Sequence, residues 1–337
     1  MSKRFNTKHL GTDFNKHVAL TFSQRRLNDQ LFQIVGTSAP VLISKHGYKS
    51  TRHAVGVVGG IRTINICDQF TVVLSLIGEL TVLKNEFLKS DIDYLPSPPM
   101  HNPQFEFDQL SCHSIKIATV DSLLVFGLSR CGKIVANIYL YSENDMADTV
   151  PGFYLKTHVD TPLSFASDSQ LRFLVGSGNG DINLIEHTNF RKEFEAVLND
   201  ESPEDFVLQF EDNLVDYEYT KKSVHLSDDP IVRVGFINNN TAYAVDDDDC
   251  VYIVDMNESK ILMVNRLHND RISDVIVAGS TVIISDISGV LTAMNSTSIT
   301  RCNTGSEAVS ISLYKDMLSV LKYDGSIINK EFPKDFY

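Results

Sequence analysis

Short runs of β-branched and aliphatic residues recur along the chain, each followed by a few polar or glycine residues and then by a second strand-like run. The clearest copies are Val72–Leu83, Phe173–Ile185, Val282–Met294 and Leu318–Ile328. Each reads as a β-hairpin, because Ser-Gly, Asn-Gly and Asp-Gly at the turn supply the positive φ that two-residue loops need. Cys131-Gly132 fills the same slot within Leu123–Leu140, and Asp247-Asp248-Asp249 fills it within Tyr243–Val254, where aspartate tolerates the left-handed conformation. A weaker copy pairs Phe32–Gly36 with Val41–Ile43, which brings the count to about seven.

Most copies follow another short alternating strand: Thr63–Ile66, Ser114–Ala118, Ile231–Phe236, Ser273–Val277 and Val309–Leu313. Each unit therefore predicts three or more antiparallel strands. Hairpins are spaced by roughly 36 to 70 residues, against a period of about 40 to 45 for WD-type repeats, so some connections carry insertions. No amphipathic stretch of helical period and useful length competes, which argues against a parallel α/β fold.

In these repeats the chain resembles the WD-repeat family, over residues ~16 to 333. That family ends the third strand of each four-stranded blade in Trp-Asp. Here there is no tryptophan, and the equivalent strand ends read Leu83-Lys84, Ile185-Glu186, Val254-Asp255 and Met294-Asn295. His268–Val275 is similar to the His-to-strand entry of a WD repeat, as is Lys156–Leu163. The resemblance implies an all-β chain, a single β-propeller of about seven blades over 1–337, with insertions at 88–109 and 190–229. It also implies that N-terminal residues close the ring by supplying an outer strand to the last blade, with Phe5–Leu10 or Val18–Phe22 as the candidates.

The two insertions differ in character. Leu88–Gln109 holds Pro96, Pro98, Pro99 and Pro103 beside the aromatics Phe105 and Phe107, and suits an extended surface loop. Phe190–Asp229 is acidic, with Glu204, Asp205, Glu211 and Asp212 interleaved with Phe206 and Phe210. Loops held by a rigid scaffold are where binding usually resides. Phe105, Phe107, Glu204, Asp205, Phe206, Phe210, Glu211 and Asp212 are therefore the candidate partner-binding residues, and a solvated acidic loop packed on a blade is the competing reading. Ser97-Pro98, Thr161-Pro162 and Ser202-Pro203 could add charge to exposed loops by phosphorylation.

A net charge of −13 opposes a general nucleic-acid binder. No run of 18 apolar residues and no signal-like N-terminus occurs, so no membrane insertion is expected. Five scattered cysteines, Cys67, Cys112, Cys131, Cys250 and Cys302, fit neither a disulfide framework nor a zinc site and suggest a reducing compartment.

Chemistry-bearing motifs fail in detail. Gly127–Lys133 matches seven positions of a phosphate loop, but Ile134 stands where the magnesium-binding hydroxyl belongs, and a strand follows where a helix is needed. Gly176–Gly180 lacks the third glycine of a dinucleotide fingerprint, and Asp246–Asp249 lacks the glycine and terminal glutamate of a calcium loop. The ten histidines show no metal-ligand spacing, and His158 and His268 are expected to hold blade-connecting turns through hydrogen bonds. No catalytic residue, cofactor or metal is predicted.

The expectation is a non-catalytic scaffold subunit that binds other protein subunits of a larger complex. Among such assemblies the resemblance favours the outer scaffold of the nuclear pore, since Ala308–Phe336 looks like the closing blade of small propeller nucleoporins. A chromatin or kinetochore complex and a ubiquitin-ligase substrate receptor are the alternatives. The expected location is the nucleus or nuclear envelope, with the cytoplasm as the alternative.

Overall fold

The computed structural model describes residues 7–8, 19–27, 30–46, 49–67, 70–89, 107–117, 120–129, 132–141, 146–187, 214–215, 218–266, 270–305 and 307–331. Among them the regular structure is strand, apart from one 3-10 turn at Asn85–Lys89. β1 is Thr7–Lys8. The first sheet is β2 to β5: Ala19–Leu27, Gln30–Thr37, Val41–His46 and Lys49–Ala54. The second is β6 to β8: Ile61–Ile66, Phe70–Ser75 and Leu80–Lys84. The third is β9 to β12: Phe107–Ile117, Val120–Ser129, Lys133–Tyr141 and Met146–Lys156.

The fourth sheet joins β13 to β15 (Pro162–Ser167, Arg172–Ser177 and Asp181–His187) to β17 (Tyr219–His225), while the two-residue β16 (Leu214–Val215) pairs parallel with β12 of the third. The fifth is β18 to β21: Ile231–Phe236, Thr241–Asp246, Cys250–Asp255 and Lys260–Arg266. The sixth is β22 to β25: Ile272–Ala278, Thr281–Asp286, Val290–Met294 and Ile299–Asn303. The seventh is β26 to β28 (Ala308–Tyr314, Met317–Lys322 and Ile327–Glu331), with β1 as its fourth strand. Every pairing within these sheets is antiparallel apart from β16, and all seven predicted hairpins are present.

The strands divide by burial. Phe70–Ser75 and Thr281–Asp286 are buried at every position, so both faces of these second strands are covered, and apolar residues stand side by side at Val72–Leu74 and Val282–Ile284. Outer strands are the reverse: Ile299–Asn303 is exposed throughout, and Tyr219–His225 buries only Val224.

Two local devices repeat. The first strands β2, β6, β13, β18, β22 and β26 each begin with a register shift against the second strand, at Ala19/Thr21, Ile61/Thr63, Pro162/Ser164, Ile231/Arg233, Ile272/Asp274 and Ala308/Ser310. Such a bulge bends the strand and re-aims the extra side chain. The second device closes the central hairpin. Ser75, Ser129, Ser177, Asp246 and Asp286, each the last residue of its strand, accept the backbone N–H four residues on, at Glu79, Lys133, Asp181, Cys250 and Val290. Positive φ falls three residues after each, at Gly78, Gly132, Gly180, Asp249 and Gly289. At Gly180 nothing larger fits, because a Cβ would lie 1.6 Å from the Ser227 carbonyl oxygen.

The chain forms two compact units, Met1–Asn102 with Arg266–Tyr337, and Pro103–Asn265. In the first, Phe32, Ile34 and Leu42 pack with Ile61, Ile64 and Val73 between the first and second sheets. Ile283 and Leu291 pack with Ile311 and Val320 between the sixth and seventh. The first and seventh sheets meet through Ala19, Phe22, Val35 and Ile43 against Leu321 and Ile327.

That last seam also holds a buried polar network. Gln33 donates through Nε2 to Gln24 Oε1, Ser319 Oγ and Asn329 Oδ1 at 3.3, 3.4 and 3.2 Å. Ser319 donates to Gln24 Oε1 at 2.8 Å, and Gln24 Nε2 reaches the Ser312 and Met317 carbonyls at 2.8 and 3.1 Å. On the far edge, β1 pairs with β28 at Thr7↔Ile328 and Lys8↔Ile327. Of the two closing segments expected, Phe5–Leu10 contains the pairing strand. Val18–Phe22 instead overlaps β2, the first strand of the first sheet, because Ala19 and Phe22 are core residues with no place on an exposed edge.

In the second unit, Leu174, Ile182 and Leu184 pack with Ile231, Ala244 and Val254 between the fourth and fifth sheets. The Phe126 and Phe173 rings meet edge-on at 5.1 Å between the third and fourth. First strands are stitched by side chains. Gln109 on β9 accepts the Phe165 N–H at 2.6 Å and donates to the Leu163 and Val232 carbonyls at 3.4 and 3.5 Å, so one amide spans β9, β13 and β18. Two residue pairs on, His113 Nε2 lies 2.7 Å from Ser167 Oγ. Burial pushes the His113 imidazole below the usual histidine range, opposed by the charge of Asp168.

Three outcomes follow from these contacts. Deleting residues 1–8 is expected to lower the melting temperature by exposing β28, and Gln33→Leu to cost about 1–3 kcal/mol by removing three side-chain hydrogen bonds from the seam; a chain melting like the wild type in either case would show that the seam does not hold the fold. Asp246→Ala removes the acceptor for Asp248 N, Cys250 N and the Tyr252 hydroxyl, and should cost about 2 kcal/mol in urea unfolding. Because folding depresses the His113 pKa, the unfolded chain takes up the proton first as pH falls; this contribution is whole above about pH 6.5 and is lost below it. Unfolding midpoints from pH 7.5 to 5 should therefore fall less steeply in His113→Gln than in the wild type.

Candidate functional site

The turn device determines what the first unit offers to a partner. Once Ser75 and Asp286 have turned inward to accept an amide, the next residue must leave the sheet. It is held by a backbone bond to the connection before the first strand: Leu76 N donates to the Gly60 carbonyl at 2.8 Å, and Ile287 N to the Arg271 carbonyl at 3.0 Å. Leu76 and Ile287 are 49% and 47% exposed, and Tyr323, at the same step after β27, is 63% exposed. Ile77 and Val58, in the turn and in the connection of the second sheet, add to the exposed apolar surface. The corresponding positions of the second unit read Gly178 and Asp247, which likewise donate to the Thr161 and Pro230 carbonyls at 2.8 and 2.9 Å. The apolar character of this step therefore belongs to the first unit.

Between the sixth and seventh sheets this surface dips into a groove of about 480 Å³. It is built from matching positions of two neighbouring sheets. Ser273 and Val309 are the bulged residues of β22 and β26, Ile287 and Tyr323 open the two hairpin turns, and Asp270 and Glu307 precede the two first strands. Ser288 and the buried Ala308 complete the lining. Ser273 Oγ is tied down by Ser285, with Oγ and carbonyl partners at 2.8 and 3.1 Å.

None of the residues expected to bind partners is among the described residues that line this groove. Phe105, Glu204, Asp205, Phe206, Phe210, Glu211 and Asp212 lie outside the described residues, and Phe107 opens β9 with its backbone alone described. At the C-terminal end of the acidic stretch, Tyr219–His225 forms β17, which pairs with β15 from Asp181↔His225 to His187↔Tyr219. Sequence reasoning did not find Leu76, Ile287 and Tyr323. The signal was present: each stands immediately before the last two or three residues of a turn whose glycine is at Gly78, Gly289 or Gly325, at a step where a soluble turn would carry a polar residue.

The nucleotide-like and calcium-like motifs are turns. Gly127 lies in β10 and Lys133 begins β11, so no helix N-terminus faces the loop. Gly176–Gly180 links β14 to β15. Asp246 is buried, and its carboxylate is consumed by two backbone N–H groups and by the Tyr252 hydroxyl at 2.8 Å. Burial, then hydrogen bonding, raises the Tyr252 phenol above its ordinary range. His158 takes a positive φ of 50° and its ring stacks on Tyr219 at 3.7 Å, so aromatic packing braces that turn. His268 lies outside the described residues. No group of three or more His, Cys, Asp or Glu residues suited to a metal occurs among the described residues, and no helix there is long and apolar enough to cross a membrane.

Where Trp-Asp would stand, aliphatic residues fill the third-strand ends: Leu83, Ile185, Val254 and Met294 are all buried. Asp255 Oδ1 accepts the Asn257 and Glu258 N–H groups at 2.8 and 2.9 Å, and Asn295 Oδ1 accepts those of Thr297 and Ser298 at 2.9 and 2.8 Å. The acid position thus keeps a turn-holding job in two sheets.

No protein-family model matches the chain, and no curated protein does. Solved structures do. The WD40 β-propeller domain of Doa1 is similar at TM-score 0.59 and 9% identity, over 96% of this chain and 95% of that one. The computationally designed protein Ika8 is similar at TM-score 0.57 and 10% identity, over 94% and 96%. At such identities the likeness speaks to the fold alone, and the fold is an all-β propeller whose seven blades are the seven antiparallel sheets.

Proposed function

We propose that this chain is a non-catalytic, WD40-like propeller that binds other proteins as a subunit of a larger assembly. The observation that carries the reading is the row of exposed apolar residues at equivalent turns of the first unit, Leu76, Ile287 and Tyr323. The turns at Leu76 and Ile287 are closed by the Ser75 and Asp286 caps and need no apolar residue there, and exposed apolar surface beside polar residues is the signature of protein contact. The polar atoms that sequence motifs offered to chemistry are already used in holding turns, as at Asp246, which supports a binding role over a catalytic one.

Among assemblies, the outer scaffold of the nuclear pore is the setting we propose first. Its support is the resemblance of the last repeat to the closing blade of small propeller nucleoporins. A chromatin or kinetochore complex is the second setting, and a ubiquitin-ligase receptor the third.

The test is co-purification of the tagged full chain from cells, followed by mass spectrometry and sedimentation. Stoichiometric protein partners are expected, and a Leu76→Asp, Ile287→Asp variant with an unchanged melting temperature should lose at least one of them. Sedimentation of the wild type as a lone monomer would overturn the scaffold reading. Imaging of the tagged chain decides the setting: a nuclear rim supports the pore, and its absence overturns that choice.

A further inference from the structure

We propose that the groove between the sixth and seventh blades takes an arginine or lysine side chain presented by a basic segment of a partner protein. This inference rests on the protein-binding reading and names the chemistry of the partner at one place. Asp270 and Glu307 bring two carboxylates to the groove, both exposed, and neither has an ion-pair partner among the described residues. Tyr323 lines the groove with its ring largely in solvent, beside Ile287. A guanidinium or ammonium group is attracted both by carboxylates and by an aromatic face. Its methylene stem needs an apolar wall, which Ile287 and Val309 provide.

The volume, about 480 Å³, lies within the roughly 300–1,000 Å³ of ordinary ligand clefts. Phosphate-bearing partners are disfavoured by the same two carboxylates, and the net charge of −13 adds a long-range pull on cations. A polypeptide fits better than a free metal ion, because the lining alternates charge with apolar and aromatic surface, which a bare cation cannot use.

The experiment uses the full chain and a fluorescein-labelled peptide of alternating arginine and leucine, with a glutamate-for-arginine peptide as control. Fluorescence anisotropy should show saturable binding of the arginine peptide only, weakened by added salt. Asp270→Asn with Glu307→Gln should weaken it about tenfold, and Tyr323→Ala about threefold, at unchanged melting temperature. Equal binding of the glutamate peptide, or unchanged affinity in the double variant, would overturn the proposal.

The double variant is then carried through the co-purification above. Loss of a partner that the wild type retains supports the groove as its docking point. Full retention overturns the groove while leaving the scaffold reading standing. A wild type with no partner overturns the scaffold reading, and the peptide titration still decides whether the groove binds a basic side chain.

Discussion

A second strand buried on both faces is the constraint from which the rest of this fold follows. Phe70–Ser75 and Thr281–Asp286 have no solvent-facing side, so neither sheet can stand alone. Within the first unit the first sheet packs on the second and on the seventh. The contact of the first sheet with the seventh joins segments nearly 300 residues apart, as in the 295-residue separation between Gln24 and Ser319. Closing so long a loop is entropically unfavourable. Apolar packing of Phe22 and Val35 against Leu321 supplies part of the compensation, and the Gln24–Gln33–Ser319–Asn329 network supplies direction. Apolar packing alone would tolerate a slipped register, whereas these amides are satisfied in one register only.

The polar residues at the turns connect that core to the surface. A serine or aspartate at the end of a second strand is buried because its strand is, and it must therefore find a donor. The amide four residues on is the one the hairpin leaves free. Meeting that demand throws the following residue out of the sheet at Leu76, Gly178, Asp247 and Ile287, whatever its chemistry. Function is then free to vary at that step without disturbing the core, and the chain uses the freedom unevenly: Leu76, Ile287 and Tyr323 in one unit, Gly178 and Asp247 in the other.

Much of this architecture was legible in the sequence. The seven hairpins stand out because second and third strands are buried, and turn residues separate their apolar-rich runs. First strands were visible where they alternate, as in Ile61–Ile66. Outer strands such as Ile299–Asn303 and Tyr219–His225 were not, because an exposed strand carries no burial pattern, and the sequence Tyr-Thr-Lys-Lys-Ser at the start of the latter has the composition of a loop. The acidic stretch masked β17 for that reason. The candidate site was read from composition, which drew attention to Phe105, Phe206 and the acids around them. The groove depends instead on which blade positions become neighbours, and no local pattern shows that Asp270 shares a wall with Glu307, 37 positions later in the chain.

The third-strand ends are filled without tryptophan, because they ask for volume and dryness more than for an indole. Leu83, Ile185, Val254 and Met294 meet that need. The residue that follows has a polar task in two blades, since free amides in a turn need an acceptor whatever packs beneath them. It falls to Asp255 in one blade and to Asn295 in another. Apolar positions can exchange among residues of similar size, while a position that satisfies backbone donors in a turn needs a side chain with a short oxygen arm. A search keyed to tryptophan passes over such a chain, and one keyed to a Ser or Asp three residues before a positive-φ turn residue finds five of its seven blades.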